Sequence, residues 1–125
     1  MSDEFIPDDV QRFILEHIDS IAQLEALLLL HKYAELDWTI EAVANRLYVS
    51  QAVAGDVLAL LAAGGLCVCG DRFFRYGPSS EELGEMIDKL CAAYAQYLVP
   101  VTNLVHSKPA RIQRFADAFR FRRDK

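Results

Sequence analysis

Three cysteines, three histidines and a run of arginines are the side chains of this 125-residue chain whose types could do chemistry. Cys67-x-Cys69 would point two thiols to one face of a strand, and a structural zinc would need Cys91 and a histidine to complete its four ligands. The commoner use of such residues is as small buried hydrophobes. A redox sensor would need less, one accessible thiolate, with Arg72 near enough to lower its pKa. His17, His31 and His106 fall on different elements, so no acid, base and nucleophile converge. Neither G-x-S-x-G, H-E-x-x-H, a P-loop nor G-x-G-x-x-G occurs. The residues therefore predict a protein that acts by binding rather than catalysis, without metal or cofactor.

Composition and charge narrow the class of partner. The chain is 53% hydrophobic and 25% charged, enough apolar content for one core and too much for a disordered protein. Its longest apolar stretch, Val57 to Cys69, is broken by Gly64-Gly65 and falls short of the roughly 18 residues of a membrane span. The acidic start Met1-Ser2-Asp3-Glu4 and the odd cysteine count predict a cytoplasmic protein with no membrane association. The net charge of −5 is unevenly spread. From His106 onward, Lys108, Arg111, Arg114, Arg120, Arg122, Arg123 and Lys125 oppose only Asp117 and Asp124, a balance of +5. Residues 1–105 hold six basic and sixteen acidic groups, a balance of −10.

The elements that must carry these residues are mostly helices. Pro7-Asp8-Asp9 opens the first, with Val10, Phe13, Ile14 and Ile18 at helical spacing. Ser20-x-x-Gln23 reads as a capping box for a second helix to about Tyr33, apolar on nearly every side from Leu24 to Leu30. Thr39 caps a short helix over 40–46, and Ser50 caps another through Ala63 that stops at Gly64-Gly65. Two β-prone runs, 66–69 and 72–76, flank Gly70-Asp71 as a two-residue hairpin turn. Ser79-x-x-Glu82 is a second capping box, opening a long helix over residues 80–105. Leu83, Ile87, Leu90, Tyr94, Tyr97, Val101 and Leu104 recur along it at alternating steps of four and three, a heptad seam that Pro100 should kink. Ser107-Lys108-Pro109 starts a last helix with Ile112, Phe115 and Phe119 on one face.

The run Thr39-Ile40-Glu41-Ala42-Val43-Ala44-Asn45-Arg46-Leu47-Tyr48-Val49-Ser50 resembles the first half of a helix-turn-helix. Its continuation through Leu58, Leu61 and Gly65-Leu66 to the hairpin resembles the recognition helix and wing of the bacterial winged helix-turn-helix regulators. Ala44 would let the two helices approach, Leu47 and Val49 would plug the turn, and Leu58 and Leu61 would anchor the second helix. The resemblance implies a mainly α fold: a winged domain over 1–78, with its helix-turn-helix at 39–63 and wing at 66–76, packed as one unit with C-terminal helices over 79–125. It also implies a transcription-regulator-like role in which a dimer places the second helix in the major groove of DNA. The DNA contacts would be Arg46, Gln51, Arg72 and Arg75, of which Gln51 is the natural base reader.

A protein-interaction module on the same frame, without direct DNA binding, is the alternative. Asp56 stands where such regulators commonly carry Arg or Lys, and residues 39–66 hold one basic group against two acids, a poor match to a phosphate backbone. The heptad seam has two uses as well, packing on the chain's own second helix or forming a homodimer, and the resemblance favours the dimer. The basic helix, with Arg111, Arg114, Arg120, Arg122 and Arg123, would either complete the core against the acidic body or present a surface to a protein or nucleic acid.

Overall fold

The computed structural model describes residues 6–107. It is mainly helical with one small antiparallel sheet: α1 (Asp8–His17), α2 (Ile21–Lys32), α3 (Ile40–Leu47), α4 (Gln51–Ala63), β1 (Cys67–Cys69), β2 (Phe74–Tyr76), α5 (Glu81–Gln96), and α6 over residues 98–107. The expected basic helix and its arginines, Arg111 to Arg123, lie outside the described residues.

Helix α2 is the centre of the packing. Leu24, Ala26, Leu27 and Leu30 are fully buried, and α3, α4 and β2 all pack against it. Gln23 joins it to α1. Its side chain donates to the His17 carbonyl at 2.8 Å and accepts from the Asp19 amide at 2.8 Å, while its own amide donates to Ser20 Oγ at 3.1 Å. The expected capping box is thus met on the Ser20 side. Its return bond reaches Asp19 instead of Ser20, because the chain reverses sharply there and α1's last carbonyls lie within reach. Gln23 is the one buried polar side chain among the described residues, and all its polar groups are engaged.

Helices α3 and α4 cross at 110°, joined by Tyr48, Val49 and Ser50. Thr39 and Ser50 cap them as expected, their hydroxyls accepting from the amides of Ala42 and Val53. Val43, Ala44, Leu58 and Leu61 are buried between them and α2, with Leu47 and Val49 packed at the margin.

The hairpin pairs Cys67 with Tyr76, Val68 with Arg75 and Cys69 with Phe74. Its turn differs from the Gly70-Asp71 expectation by one residue. The Gly70 amide donates to the Phe73 carbonyl, so Asp71 and Arg72 form the tip, and Arg72 takes the positive φ of 66°. In this register Cys67 and Phe74 lie on one face of the ladder, and both are buried. The sheet has an extra rung that the sequence reading lacked. Trp38 bridges Phe74, each amide donating to the other's carbonyl at 2.8 Å.

Two further boundaries shift. The cap of α5 is Ser80, whose hydroxyl accepts from the Leu83 amide at 3.1 Å. Ser79 is occupied elsewhere, its amide donating to the Gly65 carbonyl at 2.7 Å. Gly65 has φ +77°, and a Cβ there would fall 2.5 Å from Ser79 Oγ, so this crossing needs glycine. The long helix is also two helices. α5 ends at Gln96, Tyr97 leaves helical geometry at φ −127°, and α6 follows. Pro100 forces the break upstream of itself: in an unbroken helix its ring would crowd the Gln96 carbonyl, whereas in the first turn of α6 its missing amide is not needed.

The heptad seam is divided between core and surface. Ile87, Leu90, Val101 and Leu104 are fully buried within the chain, so they are not displayed to a second copy; Leu83, Tyr94 and Tyr97 remain half-buried. α5 packs on α1, where Lys89 Nζ donates to Asp9 Oδ2 at 2.7 Å, holding the Asp9 carboxyl below its ordinary pKa. No single helix among the described residues is long and apolar enough to cross a membrane.

Replacing Gln23 by Leu removes two side-chain hydrogen bonds, to the Asp19 amide and the His17 carbonyl, at a part-buried junction. Urea unfolding should show a loss of about 2–3 kcal/mol, against about 1 kcal/mol for Ser20→Ala, which removes only a cap. Equal losses would mean that Gln23 does no more than fill space.

Candidate functional site

The outward side of α4 is the surface the fold presents most deliberately. Ala54, Val57, Leu58 and Leu61 turn inward and hold the helix to α2, α3 and β1. Gln51, Ala52, Val53, Asp56, Ala59, Leu60 and Ala63 are left exposed. Val53 is 39% and Leu60 48% exposed, two turns apart on nearly one line of the helix. Asp56 lies between them and is the sole charge on this side. Beside it, Gly55 faces Ile40 of α3, where a Cβ would find only ordinary contact at 3.6 Å.

At the entry to α4, Tyr48 stands with φ 58° and ψ 43°, in the left-handed region that a non-glycine residue enters at about 1 kcal/mol or more. Its side chain is 95% exposed, so packing within the chain offsets none of that cost. The sequence reading passed over Tyr48. A tyrosine just after the last turn of α3, where glycine or asparagine would close the helix without strain, was the available signal.

The four expected DNA contacts do not share one situation. Gln51, the first residue of α4, and Arg72, at the hairpin tip, are exposed. Arg46 instead lies over two rings, its guanidinium carbon 5.3 Å from the Tyr33 centroid and 5.8 Å from that of Trp38. Its Nη2 donates to the Tyr33 hydroxyl oxygen at 3.4 Å and, with Lys32 also near, holds that phenol below its ordinary pKa. Trp38 is buried beneath, and its indole Nε1 has no hydrogen-bond partner among the described residues. Arg75 is claimed by Asp37, with Nε donating to Oδ1 at 2.6 Å, and it covers the Phe73 ring at 5.6 Å. Arg46 and Arg75 are exposed too, but each is engaged within the chain, Arg46 over Tyr33 and Trp38 and Arg75 in tying Asp37 to the hairpin.

The cysteines separate in the same way. Cys67 is buried, with its thiol pushed up to about 11 by desolvation and by the neighbouring Cys69. Cys91 is half-buried and pushed up to about 11 by desolvation and the Asp88 carboxylate. Cys69 is exposed, so the two thiols of Cys67-x-Cys69 meet different surroundings. Among the described residues no three of His, Cys, Asp and Glu are grouped to hold a metal ion. His31 Nε2 lies 2.8 Å from Asp88 Oδ1 with its ring edge-on to Tyr76, and His17 packs on Phe13, so neither meets the other.

Two measurements follow from this geometry. At pH 8 a disulfide reagent should titrate Cys69 quickly, and Cys67 and Cys91 only after denaturant is added, since thiols near pKa 11 are almost wholly protonated there. Three equal rates would contradict the burial of Cys67. Tyr48→Gly should stabilise the chain by about 1 kcal/mol in urea unfolding, because it relieves the left-handed backbone and surrenders no packed ring. No protein-family model, no curated protein and no solved structure matches the chain.

Proposed function

We propose that this chain is a non-catalytic winged-helix module that binds a protein partner through the outward side of α4 and Tyr48. The winged-helix reading is supported by the order α2, Trp38 rung, α3, α4, β1, β2, and by the 110° crossing of two helices on a three-residue turn. The choice of a protein over duplex DNA is carried by one observation: the exposed side of α4 has no positive charge. Affinity for duplex DNA rests largely on neutralising phosphates, and a helix entering the major groove with Asp56 at its centre is repelled by them. An apolar patch with small residues at its edges and an aromatic beside it matches the core of a protein interface instead. The strain at Tyr48 supports the same reading. A ring held out in water at a conformational cost contributes nothing to folding and is suited to fill a partner's pocket.

DNA remains the second reading because Gln51 and Arg72 are both free to reach a duplex. Titration of the full chain with mixed-sequence duplex at low and higher salt separates the two. In the protein-binding reading, Gln51→Ala and Arg72→Ala leave any DNA affinity unchanged; a tenfold weakening in either would establish the DNA reading instead. A partner recovered with the wild-type chain should be lost with Val53→Asp, Leu60→Asp and Tyr48→Gly. Since these residues are exposed, all three variants should keep the wild-type helical circular-dichroism signal. Retention of the partner by all three would move the interface elsewhere.

A further inference from the structure

The surface between α1 and α5 carries a second feature. Two hollows, of about 330 and 460 Å³, run along the junction with Asp9 as a shared wall. Phe13, Leu83 and Met86 give the first an apolar floor, with Arg12, Glu16 and Glu82 on its rim. Pro7, Ala92, Ala93 and Tyr97 line the second, and Leu98 and Val99, 51% and 62% exposed, continue the apolar surface past the α5 break. Leu83 and Tyr97 are two of the three heptad residues that remain half-buried, and both line this groove.

We propose that this groove is the docking site of the chain's own residues 108–125, bound by the same molecule. Three observations converge on that occupant. Ile112, Phe115 and Phe119 stand at the i, i+3 and i+7 spacing by which an amphipathic helix anchors in an apolar groove. The segment has seven basic residues against two acids, while the groove has Glu16 and Glu82 against Arg12, and its other cation, Lys89, is held by Asp9. The reach is also sufficient. Ten residues of α6 separate Tyr97 from the start of the segment by about 15 Å. Residues 108–111, extended, span roughly 13 Å, which returns Ile112 to the neighbourhood of the second hollow. A tether this short gives the segment an effective concentration of about a millimolar at its own groove, favouring the same molecule over a second copy.

Hydrogen exchange read by mass spectrometry on the full chain tests this. Ala92→Lys places a positive charge on an exposed position inside the second hollow without disturbing the core. It should speed exchange over residues 112–123 at least tenfold and leave α4 unchanged. Phe115→Ser with Phe119→Ser, outside the described fold, should speed exchange at the groove faces of α1 and α5 by a similar factor. The wild-type pattern should persist on hundredfold dilution. Exchange over 112–123 at the rate of an unprotected chain, or at one rate in wild type and Ala92→Lys, would overturn the proposal. Protection that disappears on dilution would place the segment on a second copy and overturn docking within one molecule.

Discussion

A helix that is apolar on nearly every side has to be enclosed, and α2 is such a helix. Leu24, Ala26, Leu27 and Leu30 point in different directions around its axis, and all four are fully buried. Each must meet another apolar surface or face water at roughly 1.5–3 kcal/mol for a large side chain. That need assembles α3, α4 and β2 around it. The polar price of burial falls at its first turn, where Gln23 absorbs the exposed ends of α1 and the reversal between the two helices. The position of α4, and so of the surface it presents, follows from how α2 is covered.

Around that centre the charges have been sorted by use. Arg46 and Arg75, which a reading of residue types assigns to a ligand, brace the segment that carries Trp38 against α2 and the hairpin. A guanidinium is suited to this because it stacks on an aromatic face and donates to a carboxylate in its plane. Lys89 is likewise engaged, tying α5 to α1 through Asp9. The outward side of α4 is apolar and slightly negative because the helix itself, Gln51–Ala63, has no basic residue and Asp56 is its one charge.

Much of this fold was legible in the residues because its signals are local. Thr39 and Ser50 cap where their hydroxyls reach the amide three residues on, and the apolar spacing of α1 identifies its buried side. The signals that misled were local ones with a distant competitor. Gly70-Asp71 is a good turn in isolation, yet the pairing of Cys69 with Phe74, which Trp38 bridges from its other edge, sets the tip at Asp71-Arg72. Ser79 and Ser80 can both cap a helix, and only the contact between Ser79 and Gly65 decides for Ser80. The Trp38 rung had no sequence signal, since one residue of extended chain has no periodicity.

The surface was the less legible part. The uneven charge, with the tail at +5 and the rest at −10, is a property of the sequence, as are the types and spacings of the arginines and of the heptad residues. Helix identity, most helix ends and the apolar sides follow from propensity, capping and period, which act within a few residues. Tertiary packing alone decided which heptad residues are consumed in the core, which arginines are stacked or paired, that Tyr48 holds a strained and exposed position, and that α1 and α5 leave a groove between them. Those outcomes depend on which surfaces meet. That is set by burial of the whole chain at once, and no window along the sequence contains it.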